Sequence, residues 1–373
     1  MLFVCLSHFA ANYLALPTSA SISPAVRASG QIATIVAMTA SPSFVTVSGI
    51  VIGYLSRLAP KAMLELRRKL IDRGLFLLLI GHVIQVPAYA QRDSWSQTMR
   101  ISFITDVIAV AIIVGPTLLM RTSSRARLHA GVLVTMVSWV AAGVRSPTGV
   151  FSGEAWRYLF GMLRAPTFTG FPLIPWLGVY LLATVLGERL AKHARTPDAA
   201  RDESLLLRLG AGAMTFGLTI TIVRHALRAY APTLVTAHNE IMNFFAVNQK
   251  FPPGPVYLLL FGGAGLILIA KSFSFARSEA WRFIVRPVSA IGRASFFVFL
   301  LQGYVYYLVL PAIDLPFPQL WPLYYLTTIL LFVAAADLWN SFDANRYLSV
   351  GVWRTIPIIR AFRSRVRTAL VVR

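Results

Sequence analysis

The feature that most limits what this chain can become is the segregation of its apolar residues into long continuous runs, with the charges gathered between them. A bilayer core is about 30 Å thick, so a crossing helix needs about 20 apolar residues. Runs near that length occupy residues 1–17, 31–56, 74–90, 101–120, 131–144, 171–187, 209–223, 256–270, 294–312 and 320–339. In lipid every backbone polar group must be satisfied internally, which leaves helices and closed barrels. A barrel would show short alternating segments, and these runs do not alternate. The expected fold class is therefore all-α: one polytopic transmembrane bundle of about ten spans, with residues 340–373 as a basic tail. Composition agrees. With 57% hydrophobic and 13% charged residues, and a mean hydropathy of +0.66, the chain is too apolar for one soluble core.

The cations sharpen this reading. Of the 35 Lys and Arg residues, 26 fall in alternate connections and the tail, and nine in the others. The rich connections include Arg57 to Arg73, Arg121 to Arg127, Arg189 to Arg208 and Lys271 to Arg293. The positive-inside rule then puts the rich side, with both termini, in the cytoplasm. The same rule accounts for the net charge of +21 without nucleic acid, and no nucleic-acid-binding module is recognisable. Residues 58–73 place Leu58, Met63, Leu66 and Leu70 near helical spacing among basic residues, as an amphipathic helix on the inner leaflet would. The tail is read the same way. On the outer side, the long connections 146–170 and 229–255 mix polar and aromatic residues, and could receive a large polar ligand.

Ionisable groups inside spans are costly and mark function. His8 falls in the first run, His82 in the third and Asp106 early in the fourth; Arg224-His225 closes the seventh. The third run points outward and the fourth inward, so His8, His82 and Asp106 share depths from mid-membrane to the outer half. Histidine is the usual general base near neutral pH, and a carboxylate can orient it. The candidate catalytic residues are His8, His82 and Asp106; structural hydrogen bonds between helices are the competing explanation. A transporter path along His82, Asp106 and Arg224 is the alternative class. No metal is expected: no two histidines share a helix turn, His-Glu-x-x-His is missing, and Cys5 is the only cysteine. Phe261-Gly262-Gly263-Ala264-Gly265 reads as helix packing rather than a phosphate loop.

Several segments, in order, resemble the integral-membrane acyltransferase superfamily (acyltransferase family 3 and its relatives). Leu2 to Phe9 resembles the end of its first span, where apolar residues lead to a histidine. Ala40-Ser41-Pro42-Ser43-Phe44-Val45-Thr46-Val47-Ser48-Gly49 resembles its second span, and Gly292-Arg293-Ala294-Ser295-Phe296-Phe297 its late Gly-x-x-Ser span. Phe171-Pro172-Leu173-Ile174-Pro175-Trp176 and Phe251-Pro252-Pro253-Gly254-Pro255 resemble the branch related to heparan-α-glucosaminide N-acetyltransferase. The resemblance implies a transferase that takes an acetyl group from acetyl-CoA and passes it to a sugar, with His8 as the catalytic residue. It also implies a bacterial inner-membrane setting and a surface glycan or lipo-oligosaccharide acceptor, with rhizobial nodulation-factor acetylases as one such group. Arg67, Arg68 and Lys69 are candidates for the phosphates of the donor, although an inside anchor explains them as well. The family carries an Asp-x-x-Arg-Gly-like stretch about ten residues before its histidine, and only seven residues precede His8. The expectation is a start further upstream or a chain that lacks the element.

Overall fold

The computed structural model describes residues 1–14, 24–90, 94–143, 153–161, 170–193, 199–233, 239–313, 315 and 317–351. The described chain is helical throughout, apart from turns and two isolated bridges. The first half comprises α1 (Leu2–Phe9), α2 (Pro24–Ala37), α3 (Ala40–Leu58), α4 (Met63–Phe76), α5 (His82–Tyr89), α6 (Trp95–Thr98), α7 (Ile104–Arg121), α8 (Ser124–Gly143) and α9 (Gly153–Phe160). The second comprises α10 (Leu173–His193), α11 (Ala199–Tyr230), α12 (Asn239–Phe244), α13 (Pro255–Tyr257), α14 (Gly263–Arg277), α15 (Arg282–Arg293), α16 (Ser295–Tyr304), α17 (Leu310–Ala312) and α18 (Trp321–Ser341). π-Helical turns join α4 to α5, α13 to α14 and α16 to α17, and another follows α1.

Among the described residues, eight helical runs are long and apolar enough to cross a membrane: Pro24–Leu58, Pro60–Tyr89, Ile104–Arg121, Leu173–His193, Ala200–Tyr230, Pro255–Arg277, Ser295–Ala312 and Trp321–Ser341. The fold is an all-α polytopic bundle. Two of the ten expected spans fall outside this set. The first run forms a shorter apolar helix, Leu2–Tyr13. The fifth lies in α8, whose opening Ser124-Arg125-Ala126-Arg127 dilutes its apolar content. The expected surface helix at 58–73 is not a separate element. α4 continues through a π turn into α5, so those basic residues begin a membrane-length helix. The amphipathic helix that sequence reading passed over is α15, where Arg282, Arg286 and Arg293 alternate with exposed Phe283, Ile284 and Val288. The tail from residue 352 lies outside the described residues.

Small residues set the closest helix contacts. A Cβ on Gly53 would stand 2.0 Å from the Thr184 carbonyl oxygen, and one on Gly187 would stand 2.1 Å from that of Ile50. α3 and α10 therefore run parallel, nearly backbone to backbone. Gly210 and Gly263 approach each other's carbonyl oxygens in the same way, which joins α11 to α14 and bears out the packing role of the Phe261 to Gly265 stretch. α7 runs antiparallel to α4–α5, since Gly74 abuts Ile113 while Gln85 donates to Thr105 Oγ1 at 2.8 Å. These directions collect Arg57, Arg121, Lys192 and Lys271 at one end of the bundle. The ends of α5 and α8 and the starts of α7, α10 and α13 collect at the other. One aromatic core joins Trp176, Tyr180, Tyr257, Phe261 and Phe299. A second surrounds Phe9, Tyr306 and Phe332. Outward faces are apolar: Leu133, Val140, Phe216 and Leu330 are each at least 60% exposed, as lipid-facing side chains are.

Candidate functional site

A cavity of about 300 Å³ opens at the cation-poor end of the bundle. Its wall draws on both ends of the chain: Ser7 and His8 from α1, Ala40 and Phe44 from α3, and Phe299 and Tyr307 from the late helices. The His8 side chain is in the cavity because α1 wedges between α3, α16 and α18, with Cys5 and Phe9 buried behind it. Asn12 Nδ2 donates to the His8 carbonyl at 2.8 Å across the π turn that follows. Such turns widen the helix and re-aim side chains, and they recur at functional positions. A second π turn, Val305–Val309, carries Tyr307. Tyr307 Oη lies 2.8 Å from His8 Nδ1. Tyr89 packs on Tyr307 with ring centroids 4.4 Å apart, and Phe299 presents its ring at right angles to His8. The imidazole is thus oriented by its bond to Tyr307 and by the aromatic edges of Tyr89, Phe299 and Tyr307.

The opposite wall is held by a clamp. Phe171 N–H donates to the Ser102 carbonyl at 2.8 Å, and Ser102 Oγ donates back to the Phe171 carbonyl at 2.9 Å. Gly170 between them has φ of +89°, and a Cβ there would lie 2.0 Å from the Ser102 oxygen. Only glycine fits that backbone and that approach.

His82 and Asp106, which the sequence put at similar depths, meet in the structure. His82 Nδ1 lies 2.9 Å from Asp106 Oδ2, and its Nε2 lies 3.3 Å from the Met99 carbonyl. Asp106 also accepts from Phe103 N–H at 2.8 Å, which caps the start of α7. Neither residue lines the cavity with His8. Phe103 stands between, its ring 5.2 Å from that of His82 and 5.1 Å from that of Tyr89. The pair locks α5 to α7 and positions Phe103 as cavity wall. We therefore expect Asp106→Ala to lower the stability of the purified protein by about 1–3 kcal/mol. Any transfer activity should stay within tenfold of wild type; thermal unfolding in detergent and initial rates check the two halves.

Arg224 does not join them. Its Nε donates to the Met242 carbonyl at 2.7 Å, tying α11 to α12. Arg67, Arg68 and Lys69 lie on α4, about 33 Å of helix from Tyr89 at 1.5 Å per residue, and Lys69 pairs with Glu65 at 2.7 Å. A separate cavity of about 400 Å³ at the cation-rich end is lined by Arg57, Lys192 and Glu188 instead. Sequence reasoning missed Tyr307 and Tyr89 in the His8 cavity, and had Lys250 only as part of the 229–255 connection that could receive a polar ligand. Lys250 carried a signal, as the single lysine among the nine cations of the sparse connections. Nothing in the local sequence marks Tyr307. Among the described residues no group of His, Cys, Asp and Glu could hold a metal ion.

No curated protein and no solved structure matches the chain. A family model does match, over residues 1–231, which include α1 with His8, α3 and the Phe171 wall. The family is described as heparan-alpha-glucosaminide N-acetyltransferase, catalytic, and on a match covering more than half its length this membrane protein belongs to it.

Proposed function

We propose that the chain transfers an acetyl group from acetyl-CoA to a sugar hydroxyl of a surface glycan or lipo-oligosaccharide in a bacterial inner membrane. A nodulation-factor-like acceptor falls within that class. The observation that carries this is the placement of His8: a histidine oriented by a tyrosine, at the wall of a cavity, in the part of the chain that matches a sugar acetyltransferase family. With the Nδ1 proton donated to Tyr307 Oη, the lone pair sits on Nε2. That nitrogen takes the proton from the acceptor hydroxyl as its oxygen attacks the thioester carbon. The cavity faces the cation-poor side, where a glycan acceptor would arrive. Arg57 and Lys192 at the other end suit the donor's phosphates better than Arg67, Arg68 and Lys69, because they share one cavity.

The test is transfer of label from acetyl-CoA to glycan by purified protein in liposomes, with mass analysis of the product. A gain of one acetyl group supports the reading. Glycan movement across the bilayer without acetylation would sink it. Tyr307 acts here as a positioning residue. Tyr307→Phe should lower kcat about tenfold or more and leave KM for both substrates within about threefold; a purely structural role would instead appear as lost folded protein with kcat unchanged.

A further inference from the structure

The acyl-transfer reading above uses a base and leaves the negative charge of the reaction without a partner. The cavity holds one cation that could serve. Lys250 lies in a tight turn between α12 and α13 and lines the same cavity as His8. The turn is fixed at several points. Gly254 N–H donates to the Gln249 carbonyl at 2.9 Å, Gln249 Nε2 donates to the Phe251 carbonyl at 2.9 Å, and Trp139 Nε1 donates to the Pro253 carbonyl at 2.9 Å. A Cβ on Gly254 would lie 2.3 Å from the Phe244 carbonyl oxygen, so the turn packs directly on α12.

The ammonium Nζ lies 5.3 Å from the ring centroid of Phe171 and 5.2 Å from that of Phe251. Aromatic faces attract a cation and keep water from it. No Asp or Glu lines the cavity, and no ion pair of Lys250 is present among the described residues. Desolvation pulls the ammonium down to about 8, so it is mostly charged at neutral pH. A desolvated cation without a counter-charge is costly to hold. It is also a strong partner for negative charge that appears nearby, because the two aromatic rings limit the water around it. A cavity of about 300 Å³ is small beside an oligosaccharide, so groups in its lining act on the same few atoms.

We propose that Lys250 is a catalytic residue that polarises the acyl carbonyl, on the far side of the reacting carbon from His8. This rests on the acetyl-transfer reading. As the acceptor oxygen bonds to the thioester carbon, its proton passes to His8 and the carbonyl π pair moves onto oxygen. That oxyanion accepts a hydrogen bond from the Lys250 ammonium. Collapse re-forms the C=O bond and breaks the C–S bond; the proton held by His8 goes to the thiolate, releasing CoA and the acetylated sugar. The lysine gains and loses nothing in the cycle.

The experiment measures initial rates of the full chain in liposomes with labelled acetyl-CoA and chitopentaose as the hydroxyl-bearing probe. Lys250→Met should lower kcat about 100-fold or more, with KM for both substrates within about threefold. Wild-type kcat should fall as pH rises through about 8, because the ammonium is the active form. Lys250→Arg should stay within about tenfold of wild type and lose that alkaline fall, since guanidinium remains charged. The other titratable groups lining the cavity are His8, Tyr89 and Tyr307. They are the same in both proteins, so a difference between the profiles belongs to Lys250. Size-exclusion profiles of all variants control for folding. Lys250→Met activity within threefold of wild type overturns the proposal. So does a loss confined to KM, which would make Lys250 an anchor for an anionic substrate group. If wild type transfers and His8→Ala does not, such a result overturns only the role of Lys250. If wild type transfers nothing, both readings fall.

Discussion

Replacing His8 by alanine is expected to lower acetyl transfer by about 10²- to 10⁴-fold, the range a positioned general base supplies. Folded protein should be recovered in unchanged amount. The reason lies in where the ring sits. His8 lines a cavity and is only partly buried, so its loss leaves space that already communicates with solvent. The residues that anchor α1, Cys5 and Phe9, are fully buried on another face and are untouched. His8→Gln is the informative companion, because its amide can keep a bond to Tyr307 yet cannot accept a proton at neutral pH. Both variants should show the same loss of kcat in liposomes with labelled acetyl-CoA. Undiminished transfer by either would remove His8 from the mechanism.

The largest effect on folding is expected at the seam between α3 and α10. Gly53→Leu and Gly187→Leu each drive a side chain into a carbonyl oxygen of the facing helix, at 2.0 and 2.1 Å for the Cβ alone. Backbone cannot swing aside as a flexible side chain can, so the helices must separate. We expect a loss of about 3 kcal/mol or more, at or beyond the upper end of ordinary overpacking, seen as a lower unfolding temperature and little monodisperse protein in detergent. Gly212 is the control. It lies on α11, and a Cβ added there would meet nothing within 4 Å, so Gly212→Leu should be tolerated or slightly stabilising. If Gly53→Leu and Gly212→Leu behave alike, the seam does not hold the bundle. The seam matters to the site as well: α3 delivers Ala40 and Phe44 to the cavity, and α10 begins just after the Phe171 clamp.

Much of this architecture was legible in the chain, for physical reasons. A membrane span must be continuous and apolar, so the helices show themselves as blocks. Span boundaries depended on that contrast, and they blurred where it weakened. Ser124 to Arg127 prolong α8 with polar residues, and the basic stretch after Arg57 is helix rather than loop, because Arg67 and Arg68 can belong to a helix whose end reaches beyond the apolar layer. That His82 and Asp106 lie at similar depths, though not that they touch, was readable from their places on consecutive runs of opposite direction. Their separation from His8 was not. It depends on Phe103 and Tyr89 filling the gap, and a linear sequence does not say which aromatic side chains stand between two helices. Tyr307 was hidden for the same reason. It is one aromatic residue in an aromatic run, and only the π turn at Val305–Val309 and the packing of α16 against α1 bring it to His8.

That hydrogen bond joins residues 299 positions apart in the chain. At a synthesis rate of about 5–20 residues per second, the partner of His8 emerges about 15–60 s after it. Throughout that interval the chain lacks the tyrosine that binds the histidine. The stretch matched by the family model ends at residue 231, before Lys250, Phe299 and Tyr307 exist. A nascent chain stalled there would carry the proposed base with Tyr89 and Asn12 beside it, but without Phe299 and Tyr307. On the proposed mechanism, competence to react is therefore acquired late in biosynthesis, when the last helices close against the first.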